Sequence, residues 1–298
     1  MGEVINYRRE FLPHIIRLFS PGIARVDGRL AYFLQLFSLY QPSPEESCLL
    51  VKGEDKLLAC AYLVTLGGIQ ENLVYANIAV DRDLPSEDWA ALWGRCQELA
   101  RNLASGPPIL RLAVGEHLPL PEEQGFQVVR EYVELHARLG VLPPVQEGTD
   151  DFHVLSLAEA PHLQQAWLDI FNQGLTVFYD IPPINAATFQ RLHGAPGYDG
   201  TAFRLGLAGD EPATALFYSV LDSNQGLVRI NAAATPSGKR SRGFGRRMLK
   251  ETLNHLEQEG YKEAIIYTDS ANQATNLLFK MLGFSPRGKV RVVEWRGQ

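Results

Sequence analysis

Cysteine is scarce in this sequence, and no run of apolar residues is long enough to cross a bilayer. The three cysteines among the 298 residues are Cys48, Cys60 and Cys96. Their spacing is not that of a metal site, so we expect no metal, and each lies in an apolar stretch, which predicts core packing. The chain begins with polar residues rather than an apolar signal segment. We therefore expect a cytoplasmic protein that does not enter a membrane.

Basic residues are outnumbered by acidic ones. The chain has 28 Lys and Arg residues and 34 Asp and Glu residues, so its formal net charge is −6. This negative charge argues against nucleic acid as a partner. Apolar residues make up 46% of the chain and charged residues 21%, a composition typical of a globular protein with a sizeable core. The length is sufficient for two domains of ordinary size.

A glycine-rich turn between a predicted strand and a predicted helix is the most informative stretch. The strand is predicted over 226–235, and apolar residues at helical spacing begin at Phe244. Between them lies Arg240-Ser241-Arg242-Gly243-Phe244-Gly245. The first N–H groups of a helix lack intrahelical partners and the helix dipole is positive there, so this turn can bind phosphate. A tight turn without a ligand is the alternative, because neither a Walker loop nor GxGxxG is present.

A second motif follows in the order that one known family shows. A short predicted strand over 263–267 precedes Asn272, a short predicted helix and Gly283-Phe284. With Arg240-x-x-Gly243-x-Gly245 before it, the chain resembles the GNAT superfamily of acyl-CoA-dependent N-acyltransferases, in which such a loop binds the cofactor pyrophosphate. The resemblance covers roughly the last third of the chain, and it rests on the two motifs together.

The resemblance implies a site for acetyl-CoA as co-substrate. Two parallel strands, here 226–235 and 263–268, would splay apart, and the pantetheine arm would lie between them. The implied cofactor residues are Ala232, Ala233, Ala234, Arg240, Ser241, Arg242, Gly243, Phe244, Gly245, Arg246, Asn272 and Phe279. Three alternatives remain open: the alanines also suit a strand packed tightly under a helix, Asn272 also suits a helix N-cap, and the basic residues of 239–250 also suit a solvated helix face.

The resemblance further implies direct transfer, in which an amine attacks the thioester while both substrates are bound. A backbone N–H near Ala234 would stabilise the oxyanion. The usual general acid of the family is a tyrosine, but Phe279 occupies that position and cannot donate a proton, so Tyr267, Ser270 and water are the alternatives. As a base, Asp180, Asp222 and Asp269 are possible, although turn or capping roles are favoured for each.

The acceptor pocket of the family is lined by an early region of the domain. Here that region offers Phe178, Tyr179 and Asp180 as substrate-binding residues. Packing of Phe178 and Tyr179 under a loop is the alternative.

The first half of the chain resembles a copy of the second half without the loop. Asn77–Asp81 matches Asn231–Thr235 and Gly125-Phe126 matches Gly283-Phe284 at similar separations, as in a tandem repeat, although any two α/β domains align this loosely. At the position of the loop the first half is acidic over 81–88. We predict an α/β (α+β) protein of two tandem GNAT-like domains, each a mixed, mostly antiparallel sheet flanked by helices. The expected boundaries are 1–140 for a degenerate domain without cofactor, 141–150 for a linker and 151–298 for the domain with the acetyl-CoA site.

These observations predict an N-acetyltransferase. The acceptor would be a small-molecule amine, a peptide N-terminus or a lysine, with no nucleic acid or membrane as partner, and the protein would be a monomer or homodimer. An acyl-CoA-binding sensor with little or no turnover is the alternative, favoured by Phe279 and by the absence of an acidic residue in the predicted central strand. A nucleotide-binding α/β domain is a third interpretation, but it lacks the acidic ribose-binding residue.

Overall fold

The structure is a computed structural model that describes residues 2–19, 42–65, 72–81, 84–115, 118, 122–143, 151–175, 183–193 and 200–297. The chain divides into two compact units. Unit 1 comprises Met1–Glu131 and Lys289–Gln298, and unit 2 comprises Tyr132–Gly288. Within the described ranges, no helix has both the length and the apolar character needed to span a bilayer.

Unit 1 is a mixed sheet with helices packed on it. Its elements are β1 (Glu3–Asn6), α1 (Leu12–Phe19), α2 (Pro44–Ser47), β2 (Cys48–Lys52), β3 (Leu57–Thr65), β4 (Leu73–Val80), α3 (Ser86–Leu103), β5 (Ile109–Gly115) and most of β12 (Ser285–Arg296). The strand order is β1-β2-β3-β4-β5-β12. Strands β4 and β5 are parallel, and the other neighbouring pairs are antiparallel.

Unit 2 repeats this layout. Its elements are most of β6 (Gln127–Arg138), β7 (Phe152–Ser156), α4 (Gln164–Leu175), α5 (Ala186–His193), β8 (Phe203–Ala208), β9 (Glu211–Asp222), β10 (Leu227–Ala234), α6 (Phe244–Gln258), β11 (Glu263–Asp269) and α7 (Gln273–Met281). The strand order is β6-β11-β10-β9-β8-β7, with β10 and β11 parallel and the other pairs antiparallel. The predicted fold class, a mostly antiparallel mixed sheet in each of two units, is confirmed.

The units differ from the predicted domains at their ends. We expected a first domain over 1–140, a linker over 141–150 and a second domain over 151–298. Instead, unit 2 already begins at Tyr132, because the second part of β6 pairs with β11. Lys289–Gln298 belong to unit 1, because β12 pairs with β5. The two halves thus exchange their last strands. In a tandem repeat the corresponding strands have similar patterns, so the sequence does not indicate which sheet each one joins.

The core of unit 2 is centred on aromatic side chains. The Trp167 ring of α4 is fully buried, stacks on Phe171 with centroids 4.6 Å apart, and meets Phe203 edge-on at 5.3 Å. Helix α6 adds the apolar face predicted from its spacing, with its members buried: Phe244, Met248, Leu249, Leu253 and Leu256. This packing fixes the position of α6, and therefore of the loop that precedes it.

The three cysteines lie in the core of unit 1, as predicted. Cys48, Cys60 and Cys96 are free thiols with at most 2% of their surface exposed. The Sγ atoms of Cys48 and Cys60 are 3.5 Å apart. This hydrogen bond and burial raise the pKa of the Cys60 thiol, and burial raises that of Cys96. Burial of all three side chains agrees with the predicted packing role.

Candidate functional site

The two parallel strands of unit 2 separate halfway along their length. Their pairing runs from Leu227 and Glu263 to Ile230 and Ile266, and none is formed beyond that point in this fully described part of the chain. Strand β10 instead continues along β9, with a register shift between Ile230 and Ala232. Strand β11 continues along β6. A wedge-shaped gap thus opens between the strand ends, where backbone groups are available to an extended ligand.

A cavity of about 670 Å³ occupies this gap and extends to the N-terminus of α6. Ala232 and Ala233 line it from β10, Tyr267 lines it from β11, and Asn272 and Phe279 line it from the α7 region. A pocket of this size is large enough for a cofactor-sized molecule.

The predicted loop forms the other wall of the cavity. Arg240, Ser241, Gly243, Phe244, Gly245 and Arg246 all line it. Gly243 is the N-cap of α6 with a φ of 80°, which only glycine adopts without strain. Ser241 has a φ of 62°, the one positive value for a non-glycine residue in the described ranges. The first intrahelical hydrogen bond is donated by Arg247 N–H to the Gly243 carbonyl, so the N–H groups of residues 244–246 have no acceptor within the helix.

The first turn of α6 is positively charged against its own dipole. It contains no acidic residue, whereas Arg246 and Arg247 lie within it. A cation at a helix N-terminus costs about 0.3–1 kcal/mol, which burial of the apolar face outweighs at roughly 2 kcal/mol per side chain. The Nε atom of Arg246 is buried and has no hydrogen-bond partner. An unpaired donor, N–H groups without an intrahelical acceptor and a positive dipole at one place are features that suit an anion.

The other basic residues of the predicted cluster have different roles. Arg240 donates from Nε to the Thr235 carbonyl at 3.0 Å and from Nη2 to the Gly174 carbonyl at 3.3 Å, so it ties the loop to the end of α4. Lys239 donates to the Pro212 carbonyl at 2.7 Å. The Arg247 guanidinium lies over the Phe152 ring at 4.7 Å. Arg242 is exposed and does not line the cavity.

Ala234 differs from the two alanines before it. It does not line the cavity, is 3% exposed, and its carbonyl accepts a hydrogen bond from Thr214 Oγ1 at 2.9 Å. An added Cβ at Gly174 would lie 2.7 Å from the Ala234 Cβ atom. Close packing of the strand under a helix therefore explains the small side chain here, as the alternative interpretation predicted.

Asn272 acts as the N-cap of α7. Its Oδ1 accepts a hydrogen bond from Thr275 N–H at 3.2 Å, so the capping interpretation is confirmed, and the side chain also borders the cavity. Phe279 is 2% exposed and meets Phe284 edge-on at 5.2 Å. Ser270 is exposed and does not border the cavity.

Tyr267 lines the cavity, and its hydroxyl has a hydrogen-bond partner, Glu134, that the sequence did not indicate. Its hydroxyl donates to Glu134 Oε2 at 2.9 Å. Burial and this hydrogen bond raise the pKa of Tyr267 to about 12. Glu134 belongs to β6, where it pairs directly with Tyr267. The available signal was the polar series Tyr132, Glu134 and His136 on one face of that strand.

The remaining predicted residues lie in turns or outside the described ranges. Asp222 Oδ1 accepts hydrogen bonds from Asn224 and Gln225 N–H groups, and Asp269 Oδ1 accepts one from Ala271 N–H. Both therefore have the turn roles that the sequence favoured. The predicted acceptor residues Phe178, Tyr179 and Asp180 fall outside the described residues. Where side chains are described, no group of three His, Cys, Asp or Glu residues is arranged to hold a metal.

Comparison with known sequences gives one partial relative. No model of a known protein family matches the chain. The mycothiol acetyltransferase of Kocuria rhizophila is 26% identical over 127 residues, which are 41% of this chain and 42% of that protein. The chain thus matches less than half the length of this curated relative.

Comparison with solved structures covers nearly the whole chain. A GCN5-related N-acetyltransferase from Sphaerobacter thermophilus has a TM-score of 0.72 at 14% identity, over 99% of this chain and 95% of that one. A tandem GNAT protein from the clavulanic acid biosynthesis pathway has a TM-score of 0.67 at 12% identity, over 99% and 98% of the two chains. The likeness predicted from the two motifs is confirmed at the level of the fold, for both halves of the chain.

Proposed function

Since this chain has the tandem GNAT fold, we propose that it is an N-acetyltransferase that moves an acetyl group from acetyl-CoA to a primary amine, with its active site in unit 2. The observation that carries the proposal is the separation of β10 and β11 beyond Ile230 and Ile266, beside the unpaired N-terminus of α6. An extended gap and an anion site share one cavity, and acetyl-CoA combines an extended arm with a diphosphate.

The residues of the loop fit the diphosphate. No atom lies within 4 Å of a Cβ added at Gly243, so the space above the helix N-terminus is accessible. The buried Arg246 Nε is a donor without a partner, and a phosphate oxygen would satisfy it. Arg240 is the residue that holds this loop in shape, through its bonds to Thr235 and Gly174.

The fit of the pantetheine arm rests on β10. Ala232 and Ala233 both line the cavity, and their small side chains would permit an arm to approach the strand backbone. The thioester carbonyl would then lie near the end of β10, where a backbone N–H in the region of Ala234 would stabilise the oxyanion.

The reaction is direct attack of the amine on the thioester, with both substrates bound. The C–N bond forms, the C–S bond breaks, and the coenzyme thiolate leaves. Tyr267 is a poor acid for that thiolate. A thiol of the cysteine type has a pKa of about 8.5, so proton transfer from a phenol with a pKa of about 12 is uphill by roughly a thousandfold. Ser270 does not border the cavity, so the coenzyme leaves as the thiolate without a side-chain acid and takes up the proton that the attacking amine loses, through water.

Unit 1 is proposed to bind no acyl-CoA. The first turn of its helix α3 carries Glu87 and Asp88, whereas the first turn of α6 carries no acidic residue. Both Asp88 carboxylate oxygens accept the Gly2 N–H at 2.9 Å. A carboxylate at the helix start repels a diphosphate. We further propose a small-molecule amine, peptide N-terminus or lysine as acceptor, a cytoplasmic location, and a monomer or homodimer.

A second function is favoured by one observation. Phe279 lies in the cavity at the position of the family's acidic tyrosine and is packed against Phe284, so no hydroxyl is available from this residue. A protein that binds acyl-CoA as a sensor without turnover would have no need of that hydroxyl.

Calorimetric titration with acetyl-CoA, followed by thiol release with a panel of amines, distinguishes these functions. The transferase requires one acetyl-CoA per chain and thiol release that depends on an amine. Stoichiometric binding without release from any amine favours the sensor. Absence of binding would refute both functions.

A further inference from the structure

A hydrogen-bonded series of side chains leads away from the cavity along β11 and β6. Tyr267 donates to Glu134 Oε2 at 2.9 Å. The other carboxylate oxygen of Glu134 contacts His136 Nε2, and His136 Nδ1 lies 2.7 Å from Glu263 Oε1. The side chains of Glu134 and His136 are 27% and 20% exposed, and that of Glu263 is 38% exposed. The series therefore joins Tyr267, a residue that lines the cavity, to a carboxylate that reaches solvent.

The other unit provides an internal comparison. In unit 2, Tyr267 is the first residue of β11 after the last parallel pair, and it faces Glu134. In unit 1, the first residue of β5 after the last parallel pair is Ala113, and it faces Val292. The position in unit 1 that corresponds to Tyr267 is therefore apolar. Unit 1 is also the unit whose sequence has no glycine-rich turn at the position of the loop. The fold itself does not require the Tyr267–Glu134 pair.

Stability does not explain the series either. Ion pairs and hydrogen bonds between partly exposed side chains contribute little to the free energy of folding. The carboxylate of Glu134 is held by two partners, one of which borders the cavity. A base that is positioned but still partly hydrated is suited to accept a proton.

We propose that Glu134 accepts a proton of the acceptor amine through the hydroxyl of Tyr267, and that His136, held by Glu263, keeps Glu134 in position for this transfer. The inference rests on the proposed acetyltransferase activity and assigns to it the base that the central strand lacks. Tyr267 borders the cavity and contacts the amine, whereas Glu134 and His136 act through it.

The proton steps balance as follows. The ammonium form of the acceptor gives one proton to the Tyr267 oxygen as the phenol gives its own proton to Glu134, so Tyr267 stays protonated. The neutral amine then attacks the thioester carbonyl carbon. The C–S bond breaks with its electron pair on sulfur, and the second amine proton passes through water to that sulfur, which leaves as the thiol.

The experiment compares Glu134→Gln with wild type in thiol release from acetyl-CoA. The panel of acceptors is glycinamide, glucosamine, spermidine and a lysine peptide, with hydroxylamine as the reference nucleophile. Hydroxylamine is neutral at the assay pH and attacks without first losing a proton, so a relay mutation affects it least. The matched control is Glu131→Gln on the same strand, where the carboxylate pairs with Lys289 at 2.9 Å. Tyr267→Phe interrupts the series at its cavity end and serves as the second variant.

The expected result is a loss of kcat of about 100-fold or more with the protonated amines in Glu134→Gln and Tyr267→Phe. Acetyl-CoA affinity stays unchanged, the loss with hydroxylamine is much smaller, and Glu131→Gln behaves as wild type. Equal losses with hydroxylamine and the other amines would mean a structural role and overturn the relay, as would unchanged kcat. Absence of thiol release from wild type with every amine would instead refute the transferase, and the relay with it.

Discussion

Gly174 of α4 and Ala234 of β10 meet so closely that a Cβ atom on the glycine would lie 2.7 Å from the alanine Cβ and 2.8 Å from the Thr235 nitrogen. The helix and the strand end are thus in contact at their backbones. The Gly174 carbonyl also accepts a hydrogen bond from Arg240. One glycine therefore connects the helix, the strand end and the loop that precedes α6.

Gly174→Ala is expected to destabilise the protein. Replacing a helical glycine by alanine gains about 0.5–1 kcal/mol, but overpacking against backbone atoms costs typically 1–3 kcal/mol, so the net effect is a loss. Gly94 in α3 is the matched control, because no atom lies within 4 Å of its added Cβ, and Gly94→Ala should stabilise. Urea unfolding measures both, and a stabilised Gly174→Ala variant would contradict the close contact.

Gly243→Asp is expected to abolish the thermal stabilisation of the protein by acetyl-CoA. A carboxylate at the start of α6 would occupy the diphosphate position and repel it. Gly260, which follows the other end of the same helix, also has a positive φ, and no atom lies within 4 Å of its added Cβ. Gly260→Asp thus has the same backbone strain of about 1–2 kcal/mol but should keep the acetyl-CoA shift. Loss of the acetyl-CoA shift in both variants would contradict the assignment of the loop to the binding site.

Arg246→Ala is expected to weaken acetyl-CoA binding by roughly 10- to 100-fold, the effect of a lost charge-assisted hydrogen bond. Its buried Nε has no protein partner, so the folded protein loses little. Arg242→Ala removes the same charge from an exposed side chain that does not border the cavity. We expect at most a small, salt-dependent change for that control. Similar losses in calorimetric titrations of the two variants would indicate general attraction rather than a contact at Arg246.

Phe279→Tyr is expected to raise kcat by about tenfold at unchanged KM for acetyl-CoA, because it adds a proton donor beside the leaving thiolate. Phe279 borders the cavity, although only 2% of its surface is exposed. Phe284→Tyr places a hydroxyl on the 4% exposed ring beside it, where an unpaired hydroxyl costs about 1–3 kcal/mol. That control should lower the melting temperature and leave kcat unchanged. An unaltered kcat in Phe279→Tyr would show that departure of the thiolate needs no acid.

The loop and the helix after it were accessible from the sequence because local chemistry determines them, whereas the separation of the strands was implied by the family resemblance. Gly243 marks a left-handed N-cap, and the apolar spacing after Phe244 marks the buried face of α6. Each depends on residues within a few positions along the chain. The tandem arrangement followed from the same patterns in the first half.

Glu134 and the role of Arg240 were not accessible, because both depend on residues distant in sequence. Glu134 reaches Tyr267 across 133 positions, and only the exchange of β6 between units brings the two together. Arg240 lies in the motif expected to contact phosphate, yet its guanidinium binds the Thr235 and Gly174 carbonyls. Residue type and motif position do not specify such partners.

The exchanged strands also determine the order in which the protein is completed during synthesis. Most of unit 1 emerges from the ribosome first, but β5 can pair with β12 only after Lys289–Gln298 are made, and these residues follow all of unit 2 in the sequence. In unit 2 the order is reversed, because its part of β6, which starts at Tyr132, is made before all the other strands of that unit. The first unit is therefore the last to be finished, and until then the nascent chain presents the unpaired edge of β5 to its surroundings.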